Sequence, residues 1–222
     1  MFSRPLKIGT RTSPLALRQT NEVIGYLKEF YPEIRVEIVL IDTYADMDKI
    51  TPISDIEGTD FFTREIEEAL LRGEVDFAVH SAKDLPDEIP KGLCIAATTK
   101  SIDSSEALVS KNNLKIDELK YGAKVGASSQ RRKTQLKKYR KDFQLVDIRG
   151  NIGERIKKLK DDNIDAIVVA SCALMRLGLE AIIAQRIPAD ILAPHPLQGA
   201  LAVELRQDNQ KLRNILEVLN GR

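Results

Sequence analysis

The chain has 222 residues, enough for one large domain or two modest ones, each with a real core. Its formal net charge is +1, from 34 Lys+Arg against 33 Asp+Glu. That excludes a global pull toward nucleic acid or anionic membranes, so any electrostatic function rests on local clustering. No apolar run approaches the roughly 18 residues of a membrane span. The N-terminal "MFSRPLKIGTRTSP" lacks the apolar centre of a signal peptide. These features read as a cytoplasmic protein with no membrane partner.

"LKIGTR", from Leu6, reads as a strand running into a turn, and "SPLALRQTNEVIGYLKEF" as a helix. Ser13 is its N-cap and Pro14 its first residue, where the missing N–H costs nothing. "VEIVLID" (36–42) is a β-branched strand, and "DFFTREIEEALLRG" (60–73) has helical periodicity and ends at Gly73. "VDFAVHS" (75–81) and "LCIAATT" (93–99) are strands. This β-α-β-α-β order predicts helices packed on a mainly parallel sheet. A second series follows. "EALVS" (106–110), "AKVGAS" (123–128), "FQLVDIRG" (143–150) and "IDAIVVAS" (164–171) read as strands. Residues 129–142, 151–162 and 173–180 read as helices. "ALAVELR" (200–206) and "NQKLRNILEVLNG" (209–221) add a last strand and helix. Two similar α/β series predict two lobes with a central cleft, where small ligands usually bind.

Cys94 and Cys172 sit in apolar settings far apart, which excludes a Cys-x-x-Cys redox or zinc site and reads as two buried free thiols. With only His80 and His195, a histidine-rich metal site is not expected either. His80 closes an apolar strand and reads as a core or hydrogen-bonding histidine.

Polar groups recur at the strand-to-helix turns. Arg11 and Ser13 follow the first strand, and Ser81, Lys83 and Asp84 follow "DFAVH". Ser128, Ser129, Arg131 and Arg132 follow "KVGA"; Arg149, Asn151 and Arg155 follow "LVDI". Helix N-termini favour anions, and arginine offers a planar fork for carboxylate or phosphate. A cation in the first helical turn is unfavourable by up to about 1 kcal/mol. Arg131 and Arg132 accept that penalty, which points to a ligand with several negative charges, carboxylate or phosphate, against the alternative of a solvated helix face. Lys137, Lys138 and Arg140 read as a solvated helix face. Asp84 is the one carboxylate in the set. Either it pairs with a neighbouring cation, or it binds a substrate N–H, stabilises a cationic intermediate and shuttles a proton. The basic run 131–141 lacks interleaved aromatics apart from Tyr139, so no nucleic-acid partner is expected.

"IGTRTSPLALRQ", "DFAVHSAKDLP", "GASSQRRKTQL", "DIRGNIGERIKKL" and "HPLQGALAVELR" together resemble the porphobilinogen deaminase (hydroxymethylbilane synthase) family, in order, from about residue 6 to 219. The resemblance implies a transferase of porphyrin, tetrapyrrole and heme biosynthesis. Such an enzyme joins porphobilinogen units into a linear tetrapyrrole and releases ammonia at each step. It implies Asp84 as the catalytic residue, contacting pyrrole N–H groups and stabilising the azafulvene cation formed as ammonia leaves. It implies Arg11, Ser13, Arg149 and Arg155 as holders of the incoming pyrrole's carboxylates. Ser81, Lys83, Ser129, Arg131 and Arg132 would hold a dipyrromethane primer, and no metal is implied. The implied fold is α/β, with two periplasmic-binding-protein-like lobes: residues 1–98 plus 194–222, and residues 99–193.

Two departures accompany the resemblance. Family members usually continue into a third, small α/β domain with a Gly-Gly-Cys turn whose sulfur carries the primer. This chain stops at Arg222, about where that domain would begin, and neither Cys94 nor Cys172 matches the anchor. The expectation is a monomer whose primer, if present, is held non-covalently. The other departure is in a lid loop, where the family's Gly-Gly-Lys-Gly is replaced by Glu57-Gly58-Thr59-Asp60. Asp55 stands where lysine is common, and Tyr44-Ala45 replaces a basic residue and a glycine. Fewer glycines narrow backbone freedom, and added negative charge weakens attraction for polycarboxylates. Beside a minimal deaminase, two alternatives fit: a non-catalytic pyrrole or polycarboxylate binder, and one half of a split enzyme that needs a separate anchor-domain protein.

Overall fold

The computed structural model describes residues 4–48, 51, 60–86, 88–161 and 163–222. The described chain forms two compact α/β units. One holds residues 4–48, 60–102 and 199–222; the other holds Asp103–Gln198.

The first unit is built on a five-stranded sheet: β1 (Leu6–Arg11), β2 (Val36–Ile41), β3 (Phe77–Ser81), β4 (Leu93–Thr98) and β10 (Leu201–Arg206), in the order β2-β1-β3-β10-β4. β1 runs parallel to β2 and β3, while β10 lies antiparallel to both β3 and β4. The sheet is therefore mixed, not mainly parallel. The difference lies in β10, which enters from the other unit and not through a crossover helix, so nothing forces it parallel. Helix α1 (Pro14–Phe30) turns Ala16, Thr20, Val23, Ile24 and Leu27 inward, the spacing of one helical face. The Ser13 hydroxyl accepts the Ala16 N–H at 3.2 Å, and Pro14 opens the helix, as the sequence predicts. α1 packs with Phe77, Val79, Val203 and Leu205 and with helix α7 (Gln210–Leu216) on one face of the sheet. Helix α3 (Arg64–Leu71) covers the other face through Ile66, Ala69 and Leu70.

The second unit repeats the plan with β5 (Glu106–Ser110), β6 (Lys124–Gly126), β7 (Gln144–Val146), β8 (Ala166–Ala170) and β9 (Gln185–Ile187), in the order β7-β6-β8-β5-β9. β6 is parallel to β7 and β8; β5 is antiparallel to β8 and β9. Leu108, Val125, Leu136 and Phe143 pack on one side, and Val109, Ile148, Ile167 and Val169 on the other. Gly9 in β1 and Gly126 in β6 are matching features. A Cβ on Gly9 would meet Val75 at 3.2 Å, and one on Gly126 would meet Ile167 at 3.1 Å. Each strand therefore lets neighbouring side chains close over its backbone just before its site-bearing turn.

Helix α4 (Gln130–Tyr139) stops earlier than the sequence pattern predicts, because Arg140 turns back. Its guanidinium donates to the carbonyls of Ile116 and Leu119 at 3.0 and 2.9 Å and lies over the Phe143 ring. The Arg140 hydrogen bond, with the Gly122 N–H, holds the Asp142 carboxyl down at about 2. Arg140 is thus a structural tie and not part of a solvated face. Strand β9 and the short helix α2 (Tyr44–Met47) carry no sequence signal, being three and four residues long.

Phe77 is fully buried where β3 meets α1 and α7. Phe77→Ala is expected to cost about 3–5 kcal/mol, the transfer term plus the cavity left behind. The expected signature in urea unfolding is a lower midpoint at unchanged slope.

Candidate functional site

In the first unit the site-bearing turns share one sheet edge. β1 and β3 are parallel neighbours, with Gly9 opposite Ala78. Their carboxyl ends therefore bring Arg11 and Ser13 beside Ser81 and the 3-10 turn Ala82–Asp84. The Ala82 N–H bonds the Ala200 carbonyl at 3.0 Å and ties that turn to the residue before β10. Ser81, Lys83 and Asp84 are half-buried. Arg11 has partners that sequence reasoning missed. Its Nη2 and Nε donate to Asp46 at 2.5 and 3.1 Å, and its guanidinium lies 5.1 Å from the Phe62 ring centre. Burial pushes the Asp46 carboxyl up, but the bonds from Arg11 and Thr43 outweigh it, and the net direction is down. Asp46 therefore stays ionised and leaves Arg11 one terminal nitrogen unused by this pair.

Tyr44, Ala45 and Asp60 are the described residues of the departing loop, the first two in α2. Tyr44 is exposed and stands edge-on to Phe61 at 5.0 Å, while Asp60 binds Arg64 at 2.7 Å. Asp55 and residues 57–59 lie outside the described residues.

In the second unit the turns after β6 and β7 share an edge in the same way, the two strands being parallel neighbours. Ser129 caps α4, accepting the Arg132 N–H at 3.3 Å. Helix α5 (Ile152–Asp161) begins with reciprocal bonds between Asn151 and Glu154, at 2.7 and 3.0 Å. Arg155 donates from Nε to the Gly150 carbonyl at 2.8 Å, and Arg149 is buried.

Arg131 and Arg132 meet at Glu106, the first residue of β5, which is 0 % exposed. Arg131 Nη2 donates to Glu106 Oε1 at 2.5 Å, and Arg132 Nη2 to Oε2 at 2.6 Å. Each arginine also reaches a carbonyl, Arg131 that of Ala193 and Arg132 that of Val168. The two cations in the first turn of α4 are therefore compensated from within the fold. With Glu106 counted, the pair keeps one net positive charge. Arg132 is buried and Arg131 half-buried, so the half-buried guanidinium is the more open of the two. Glu106 had one sequence signal, an acidic residue opening an otherwise apolar strand.

Neither cysteine forms a disulfide; Cys172 is buried as expected, while Cys94 is only half-buried, against expectation. Burial pushes the Cys94 thiol up, away from the reactive thiolate. Among the described residues no group of three or more His, Cys, Asp or Glu could hold a metal ion. No helix among them is long and apolar enough to cross a membrane.

Two mixed-sheet α/β units with cationic turns at their strand ends define a fold of the periplasmic-binding-protein type. Solved structures show the same likeness. It matches the methionine binding protein MetQ at TM-score 0.56 and 16% identity, over 96% of this chain and 88% of that one. A VFT2 domain of Bordetella pertussis BvgS matches at TM-score 0.55 and 14% identity, over 96% and 85%. Sequence comparison is more specific. The family model described as porphobilinogen deaminase, dipyromethane cofactor binding domain, matches residues 6–214. A porphobilinogen deaminase of Natranaerobius thermophilus is 48% identical over 97% of this chain and 70% of its own length. One of Syntrophomonas wolfei is 44% identical over 98% and 71%. The chain belongs to the porphobilinogen deaminase family.

Glu106→Gln leaves two guanidiniums around a neutral amide in a buried setting. It is expected to destabilise the protein by about 3–5 kcal/mol in urea unfolding. A loss below about 1 kcal/mol, the scale of an exposed pair, would contradict this account of the arginine pair.

Proposed function

We propose that this chain is a hydroxymethylbilane synthase-like transferase, condensing porphobilinogen units head to tail into a linear tetrapyrrole with release of ammonia. The observation that carries the reading is the position of Asp84. In a chain of this family, it is a carboxylate in the turn after β3, on the strand edge that also bears Arg11, Ser13 and Lys83. A carboxylate there can accept a pyrrole N–H. It can also stabilise the cation left when the aminomethyl group departs as ammonia. Arg11, Ser13, Arg149 and Arg155 take the acetate and propionate groups of the incoming porphobilinogen.

Dipyrromethane suits the donor set of Ser81, Lys83, Ser129, Arg131 and Arg132, because its side chains are carboxylates and these donors are cations and hydroxyls. When bound, it supplies the primer to which units are added. The one net positive charge left at Arg131 and Arg132 after Glu106 supports a carboxylate ligand there. The proposal holds the primer non-covalently, since the raised Cys94 thiol and the buried Cys172 are poor anchors. It treats the protein as a cytoplasmic monomer that acts on a small molecule, without nucleic acid or membrane. A separate anchor-domain protein is the alternative partner.

Asp84→Ala is expected to abolish porphyrin absorbance, read after oxidation of the product, while urea unfolding stays within about 1 kcal/mol of wild type, as for a half-buried polar residue. Normal turnover in that variant contradicts the assignment. Turnover that appears only when an anchor-domain protein is added favours the split enzyme. Stoichiometric binding without turnover favours the binder.

A further inference from the structure

One buried polar cluster lies outside the site. His80 of β3 sits opposite Ala202 in β10, and Glu204 sits opposite Ala78. The imidazole therefore reaches diagonally across the strand pair, with Nε2 3.0 Å from Glu204 Oε2. Helix α3 packs against β3 and β10 and brings Glu67 to the same cluster. Relative exposures are 3 % for Glu67, 5 % for His80 and 0 % for Glu204. Two carboxyl oxygens, Glu67 Oε1 and Glu204 Oε1, are buried without a hydrogen-bond partner among the described residues.

Two carboxylates and one imidazole cannot all be accommodated here as ions at low cost. Even with the ring as imidazolium, one negative charge is left over in an apolar interior. A proton on one carboxyl removes that excess and supplies a donor where two acceptors now lack one. Glu67 is the group placed to take it. Burial pushes its carboxyl up first; the charges of Glu204 and Asp60 push the same way, while the Thr63 hydroxyl and His80 oppose them. β1 presents Gly9, whose added Cβ would meet Ile66 of α3 at 3.5 Å, and Cys94 of β4 itself feels the charge of Glu204.

We propose that Glu67, His80 and Glu204 form a proton-holding cluster that positions the Ser81–Asp84 turn. The cluster joins three elements that lead to the first unit's strand edge, β3, β10 and α3. β3 passes from His80 directly into Ser81. β10 carries Glu204 and follows Ala200, the acceptor for the Ala82 N–H. α3 follows Phe62, which stacks on Arg11. A second negative charge on Glu67 would repel Glu204 and loosen α3 from the strand pair. His80, Glu204 and Glu67 are positioning residues, acting through the turn and not on the substrate. The activity arm of the test rests on the deaminase reading; the other arms do not.

Infrared difference spectra of the full chain at about pH 6, above the ordinary carboxyl range, are expected to show one protonated carboxyl that Glu67→Gln removes. A carboxyl with a raised folded-state value adds stability that is complete below its unfolded value and lost as pH rises through the folded one. The melting temperature of Glu67→Gln relative to wild type is therefore expected to climb as pH rises from the ordinary carboxyl range through the raised folded-state value. Absence of the carboxyl band, or a pH-independent difference, overturns the proton-holding part.

Positioning is read separately. Glu204→Gln is expected to speed amide exchange at Ser81–Leu85 by about 10-fold or more, with the rest of the first unit unchanged. It is also expected to lower kcat about 10-fold with KM for porphobilinogen within about 3-fold, and Glu204→Asp to restore part of both. Unchanged exchange at the turn overturns positioning. Absent wild-type turnover contradicts the deaminase reading alone, since the infrared, melting and exchange arms still decide the cluster.

Discussion

A carboxylate with no exposure needs cations around it, and Glu106 has two. One oxygen goes to Arg131 and the other to Arg132. This three-residue contact fixes the first turn of α4 against the first residue of β5. It thereby sets the cationic end of the second unit's sheet before any ligand arrives. A buried pair of this kind adds little net stability over an apolar substitute, but it is costly to break. Its value is geometric: guanidiniums held in place lose less freedom when they meet a carboxylate ligand. Asp46 does the same for Arg11 in the first unit, with Phe62 against the guanidinium.

The two units use the same local device. Each has a parallel strand with a glycine near its end, Gly9 in β1 and Gly126 in β6. Each follows that strand with a serine-capped helix, Ser13 for α1 and Ser129 for α4. The backbone there closes tightly and then opens into a turn bearing arginine. What differs is the acid. Glu106 is wholly buried and shared between two arginines, while Asp46 is partly open and serves one. The first unit adds Asp84, a half-buried carboxylate in the turn after β3.

Much of this was legible in the sequence. The strands were bounded apolar blocks, and Ser13-Pro14 fixed the start of α1 by cap chemistry alone. The site-bearing turns could be placed because polar residues follow apolar strands at the same offset. Other features depend on tertiary path. The antiparallel sense of β10 follows from where the chain re-enters the first unit. β9 has one buried residue in three. Arg131 and Arg132 were recognisable as cations in an unfavourable position, but their partner lies 25 and 26 positions before them and looked like the start of an ordinary strand. Arg140 looked solvated because two of its acceptors, the Ile116 and Leu119 carbonyls, carry no sequence signal. His80 read as a hydrogen-bonding histidine, and it bonds Glu204; Glu67 and Glu204 looked like ordinary acids on a helix and a strand.

The central claim is that these residues carry out deamination without a covalent primer. The most direct measurement is ammonia released per porphobilinogen consumed by the purified chain, with the intact mass taken under denaturing conditions from the same reaction. The account predicts one ammonia per porphobilinogen and a protein mass unchanged by turnover. No ammonia release would contradict the enzyme reading, and release with a stable mass increase would contradict the untethered primer.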